Sequence, residues 1–445
     1  MTMERHYRLL QERIHFEELE NGLAVYVVPK PGFKKTFACF ATKYGAMINR
    51  FVPYGESEYI DVPLGIAHFL EHKMFEMPDG TDASEIFARM GLDSNASTSH
   101  LMTTYLFSGT ANIKEGLNLL LDFVQTPYFT EERVLREQGI IAQELKMYLD
   151  DPNEALHLGL MQNLFRVYPL RFDVGGTLES IMQITPEHLN KCYRTFYHPS
   201  NMALIVVGDI DAIMEDSDDP IKALIDLVRE NQAKKDFKKP LDIRKNILVE
   251  DGVVNKASDY QKMDISIPKA AVGLKLPFER YQKNQSFLME LEMKILLEAT
   301  IGPMTDAFQE MLDLELINGN LYYNVYCDGL SGFLKVQANT NKPKQFIAYV
   351  ENKLLSLSSI DFDDETFNRF KKATQGSFLR AMNNPEYIGY NFLRYLFSDA
   401  DMFEAIESFS ELKKEDMKAL EKYFQKEALA DFVVIPKNTL FSKIQ

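Results

Sequence analysis

The stretch PLGIAHFLEHKMFEMPDG, residues 63–80, places two histidines and a glutamate inside an apolar run, and the reading of the whole chain turns on it. Pro63 is tolerated at a first helical turn and Pro78-Asp79-Gly80 supplies a stop, which predicts a helix over 64–76. Residues four apart on a helix stand one above the other. His68 and His72 therefore offer two imidazoles to one point, and Glu71 reaches the same side. Such a pair can share a metal ion, and the neighbouring carboxylate can take a proton from a metal-activated water. The bland alternative is an amphipathic helix with surface or core histidines. A third ligand elsewhere in the chain argues against it.

That ligand is found on a second predicted helix, from about Thr130 to Leu149, capped by Thr130 with Glu131 and Glu132 in its first turn. Thr130, Val134, Glu137, Ile141, Glu144 and Tyr148 trace one stripe along it. Carboxylates beside Val134 and Ile141 are costly to bury without a cation or hydrogen-bond donors. Metal ligation by Glu144 removes that cost. Glu137, two turns earlier on the same stripe, reads either as a group orienting a histidine or the water, or as a solvent-facing edge. Two histidines, one carboxylate and an open fourth position form the usual catalytic zinc set, with one Zn2+ per chain expected.

Around these helices the pattern is α+β. NGLAVYVVPKPGFKKTFACFATKYGA (21–46) reads as two adjacent strands joined by a Pro-Gly turn, and SNASTSHLMTTYLFSG (94–109) and MALIVVGDI (202–210) have strand composition. Helices are predicted near 113–125, 154–165, 185–196 and 220–233. The polar, basic, proline-containing segment 234–246 reads as a linker. Strand-then-helix order resumes beyond residue 260, with DISIP and AVGLKL as strands. With 445 residues, two domains of similar size are expected. They are placed at 1–238, carrying the metal motif, and 239–445, lacking it; each is read as a mostly antiparallel sheet packed against helices.

A formal net charge of −16 and a pI of about 5.1 argue against nucleic-acid binding and against docking on an anionic membrane. The apolar runs are too short to span a bilayer. Cys39, Cys192 and Cys327 are far apart and odd in number, and no CxxC occurs, so reduced thiols in a cytoplasmic protein are expected. The N-terminal residues lack an apolar secretory core. The remaining histidines show no metal-ligand spacing, and His198, in YHPSN, is expected to shape a turn.

The motif residues resemble the pitrilysin/insulysin family of metallopeptidases, the inverzincins. The resemblance is carried by HFLEH (68–72), SNASTS (94–99), EQGIIAQE (137–144) and YHPSNM (197–202). It implies zinc held by His68, His72 and Glu144, with Glu71 as the catalytic base and Glu137 as the accompanying acid. It also implies that Asn95 and Ala96 lie on an edge strand where a peptide substrate binds as an added strand. The length is similar to small two-domain members that pair into a hollow chamber, and most similar to the zinc-bearing subunit of paired bacterial members. Those draw an Arg-x6-Tyr pair from the far half of the chamber. The matching stretch here, MLDLELINGNLYYNVYCDG (311–329), has no arginine; Arg380 and Tyr387 have the spacing but fall much later, around Pro385. The implied partner is therefore a zinc-less paralogous subunit that supplies the pair, or a second copy of the chain. A non-catalytic structural or peptide-binding subunit of the same fold is the alternative reading, weakened by four intact motif positions.

Overall fold

In the computed structural model, residues 2–237, 242–276, 278, 283–360 and 363–438 are described. They form two compact units, each built on one sheet. The strands of the first are β1 (Met3–Tyr7), β2 (Glu12–Glu18), β3 (Ala24–Pro29) and β4 (Thr36–Thr42). After a short pair, β5 (Arg50–Phe51) and β6 (Ile60–Asp61), come β7 (Asp93–Thr98), β8 (Thr103–Gly109) and β9 (Met202–Gly208). The sheet runs β1-β2-β3-β9-β4-β8-β7, with β3 and β9 parallel and every other pair antiparallel.

This order corrects one expectation. β3 and β4 are not neighbours, because β9 lies between them. The physical reason is burial: all seven residues of β9 and of β4 are buried, which only interior strands sustain. At the other extreme, β7 (DSNAST) is polar and half-exposed, as an edge strand must be.

The second sheet comprises β10 (Ser258–Met263), β11 (Lys269–Leu276), β12 (Tyr322–Cys327), β13 (Gly332–Asn339) and β14 (Leu429–Pro436), in the order β10-β14-β11-β13-β12. Here β10 and β14 are parallel and the rest antiparallel. Strand for strand this repeats β3-β9-β4-β8-β7, senses included. The expected DISIP strand is instead the connection after β10, since the ladder is made by Ser258–Met263. The α+β class and its duplication are thus both present.

The helices that frame the first sheet's site are α1 (Ile66–Met74), α2 (Ala83–Arg89), α3 (Ile113–Val124) and α4 (Glu131–Leu149), followed by α5 (Pro152–Leu164). The units are not consecutive stretches of chain. The first comprises 1–143, 173–247 and 380–397, and the second 144–172, 248–379 and 398–445. A single cut at 238/239 falls on residues outside the described ones, and neither unit is continuous. Each half lends a helix to the other's sheet: α5 packs on β11 and β14, and the helix Pro385–Phe397 packs on β4 and β9. The unit boundary itself falls inside α4, whose continuous backbone carries Glu144 on from Glu137.

Both lent helices sit close because a glycine faces an aromatic ring. A Cβ on Gly159 would come within 2.3–2.5 Å of the Phe432 ring, and one on Gly389 within 2.5–2.6 Å of the Phe37 ring. Gly159→Val and Gly389→Val should each destabilise the protein by about 1–3 kcal/mol, the usual cost of overpacking. Urea unfolding followed by circular dichroism measures this; unchanged midpoints in both variants would show that the helices are not seated through these contacts.

Candidate metal centre

The position of α1 is set by glycine. Gly65 precedes it at φ +84°, and a Cβ there would lie 2.2 Å from the Gly175 carbonyl oxygen. Ser180 Oγ donates to the Leu64 carbonyl at 2.9 Å and fixes the same entry. From there α1 buries Ile66, Ala67, Phe69, Leu70 and Met74 in the first unit's core. Its remaining side carries the two histidines.

His68 Nε2 and His72 Nε2 lie 3.2 Å apart. Two nitrogens each about 2.0–2.1 Å from one ion at a tetrahedral angle would be separated by about 3.3 Å, so this spacing suits a shared metal. Glu144 completes the set: one ligand atom from each of His68, His72 and Glu144 lies within 4.8 Å of the others, all three half-buried. It is the only group of three such residues among those described. Nitrogen, nitrogen and oxygen donors around one point fit zinc's preferences.

The orientation of His72 is fixed from behind. Its Nδ1 is 3.0 Å from Glu137 Oε1, which requires an Nδ1–H donor and leaves the lone pair on Nε2, facing His68. Glu137 is 5% exposed. Burial pushes its carboxyl up, but the His72 hydrogen bond and the Lys73 charge more than offset this and hold its pKa below the usual value. Burial, followed by the neighbouring His72, depresses His68 to about 4, partly opposed by Glu137. His68 is thus neutral at physiological pH, the form a metal ligand needs.

Glu71 also lies where expected, on α1 and buried. Thr98 Oγ1, at the end of β7, donates to its Oε2 at 2.6 Å. Behind Thr98 stand Thr103, with hydroxyls 3.4 Å apart, and the buried pair Tyr105 and Tyr197, joined at 2.8 Å. Burial raises both phenols well beyond the ordinary range, with the Glu71 charge adding to the effect. Asn95 and Ala96 occupy β7, the last strand of its sheet, paired with Leu106 and Tyr105 of β8. The Ala96 N–H is taken by the Asn95 side-chain oxygen at 2.8 Å. His198 shapes its turn by accepting from the Ser200 N–H at 3.2 Å.

Three contributors are not among the residues that spacing alone points to. Lys73, 0% exposed, reaches Glu137 Oε2 at 3.4 Å and Glu76 Oε1 at 2.7 Å, and Thr98 holds Glu71. The available signal was a lysine inside an apolar helix with a glutamate at i+3.

Comparison with known proteins supports the same reading. The model of the insulinase family, peptidase family M16, matches residues 52–177, and that of the M16 inactive domain matches 183–374. The uncharacterized zinc protease YmfH of Bacillus subtilis is 39% identical over 431 residues, covering 97% of both chains. The chain belongs to the M16 peptidase family. A solved M16-like peptidase from Alicyclobacillus acidocaldarius superposes with a TM-score of 0.89 at 31% identity, covering 96% of this chain and 98% of that one. The periplasmic protease PqqL of Escherichia coli shares the fold at a TM-score of 0.72 and 18% identity; the match covers 97% of this chain and 48% of PqqL.

PqqL also overturns the cytoplasmic placement expected above, since a protein of this fold is periplasmic. The reasoning from cysteines fails on physical grounds. Cys39, Cys192 and Cys327 are all buried, and a buried thiol reports packing and not the redox poise of a compartment. Among the described residues no helix is long and apolar enough to cross a membrane.

Chelator-treated protein titrated with zinc should take up one ion per chain. His68→Gln and Glu144→Gln should each weaken binding by more than the roughly 10–100-fold typical of outer groups, while Glu71→Gln retains it. Metal analysis after gel filtration reads the stoichiometry; full zinc content in Glu144→Gln would remove that carboxylate from the ligand set.

Proposed function

We propose that the chain is a zinc-dependent endopeptidase that cleaves short or unfolded peptides. The observation that carries this reading is the convergence of His68, His72 and Glu144 on one point, with Glu71 one helical turn from His68 on the same helix. Zinc held there supplies Lewis acidity toward a scissile carbonyl and makes a water acidic near neutral pH. Everything else is work for the chain's own residues.

Glu71 takes the proton of the attacking water and delivers it to the departing amine. Thr98 donates to one of its carboxylate oxygens and tethers the group beside β7. Glu137, through Nδ1 of His72, sets the tautomer that presents Nε2. The peptide lies along the edge of β7 at Asn95 and Ala96, adding a strand through main-chain hydrogen bonds. An extended segment is required for this, which favours short or unfolded substrates over folded ones.

We further propose that catalysis draws an Arg/Tyr pair from a zinc-less paralogous subunit, or from a second copy of the chain. The support is the stretch 311–329, which contains no arginine.

The test is a cleavage assay on a mixed peptide pool, resolved by mass spectrometry, with the zinc-loaded chain alone and with proteins that copurify from its native cell. Activity should be low alone and rise with the partner. Glu71→Gln should reduce kcat/KM by about 10²–10⁴-fold, the usual contribution of a general base. Strong cleavage by the lone chain would dispose of the partner; cleavage indifferent to Glu71 would dispose of the mechanism.

A further inference from the structure

Lys73 is the most deeply buried cation near the metal centre, and nothing in the mechanism above uses it. Its side chain is 0% exposed, one residue past His72. A buried ammonium is costly unless carboxylates and hydrogen bonds compensate it. Two do: Glu76 Oε1 at 2.7 Å, just past the end of α1, and Glu137 Oε2 at 3.4 Å across on α4. Glu76 is itself tied to α4, by Arg136 at 2.6 Å and Arg133 at 3.3 Å. The charges thus alternate along one line: Arg133 and Arg136, Glu76, Lys73, Glu137, then the imidazole of His72.

The two oxygens of Glu137 are divided between two donors, His72 Nδ1–H on Oε1 and Lys73 on Oε2. A carboxylate held by one oxygen can swing about that contact; one held at both cannot. We propose that Lys73 is a positioning residue for the metal site: it clamps Glu137 so that His72 keeps its Nε2 aimed at the ion. This deepens the zinc-peptidase reading and rests on it. The alternative role for Lys73, a salt bridge that merely joins α1 to α4, predicts loss of stability without a specific effect on the metal.

The experiment measures the zinc dissociation constant of the full chain by competition with a chromophoric chelator, alongside the melting of the metal-free protein. Lys73→Met should weaken zinc by about 10–100-fold, the range seen when a group behind a metal ligand is removed. In the Glu137→Gln background the same change should add less than about threefold, because the clamp no longer has its target. Lys73→Gln, which can donate to Glu137 without charge, should fall between wild type and Lys73→Met, and it stands in should Lys73→Met not fold. Wild-type affinity in a folded Lys73 variant overturns the inference, as does an equal loss with and without Glu137. If the unmodified chain itself binds no zinc, the zinc-peptidase reading fails and takes this inference with it, so the two failures are distinguishable.

Discussion

Two imidazole nitrogens face each other at 3.2 Å, and where each ring carries its proton decides whether they can. Two lone pairs repel and two N–H groups repel; one N–H donating to the other ring's lone pair, or a cation shared by both lone pairs, reconciles them. The Glu137 contact places the His72 proton on Nδ1 and leaves Nε2 as an acceptor, and burial, with His72 adjacent, keeps His68 neutral down to about pH 4. A divalent cation engages both lone pairs at once, and a Glu144 oxygen lies within 4.8 Å of a nitrogen on each ring. The surrounding elements hold this arrangement in place. Gly65 seats α1 against Gly175, the buried apolar face of α1 prevents it from rotating, and Glu137 fixes one imidazole from behind.

Charge placement follows from the same constraint. Three buried or half-buried carboxylates, at positions 71, 137 and 144, crowd one small region and would repel one another if uncompensated. They are dealt with separately. Glu71 receives the Thr98 hydroxyl, Glu137 receives His72 and Lys73, and Glu144 belongs to the metal set. The carboxylates therefore have distinct environments, which is what allows similar side chains to hold different roles.

Much of this was legible from residue order. The i, i+4 histidines and the stripe that carries Glu144 required only helical periodicity and the cost of burying a carboxylate, and the structure brings the three residues together. What stayed hidden depends on long-range pairing. Whether β3 adjoins β4 cannot be read from either strand, because the competitor, β9, lies far along the chain. The exchange of α5 and Pro385–Phe397 between sheets is hidden for the same reason: an apolar helical face shows that it will be covered, not by which sheet. Lys73 and Thr98 were obscured differently. A lone lysine in an apolar helix and a threonine in a polar strand have ordinary explanations until their partners are known.

The duplicated sheet explains why, among the described residues, the second copy of the fold has no counterpart of the His68–His72 pair. By hairpin register Cys327, opposite Gly332, is the counterpart of Thr98, opposite Thr103. Thr98 holds Glu71 with its hydroxyl, and Cys327 holds Glu290 with its backbone N–H at 2.7 Å. Glu290 lies on the helix Gln285–Ile301, which follows β11 as α1 follows β4. Counting from Glu290 as from Glu71, Phe287 and Leu291 stand where His68 and His72 stand. The Phe287 ring packs 6.3 Å from that of Phe378, on the helix that takes the place of α4 in chain order. A phenylalanine and a leucine thus stand where the imidazole pair stands, and the space beside them is filled by apolar packing. The second copy keeps the scaffold's glutamate and hairpin without the imidazoles that could hold a metal, in keeping with its match to the inactive domain of the family.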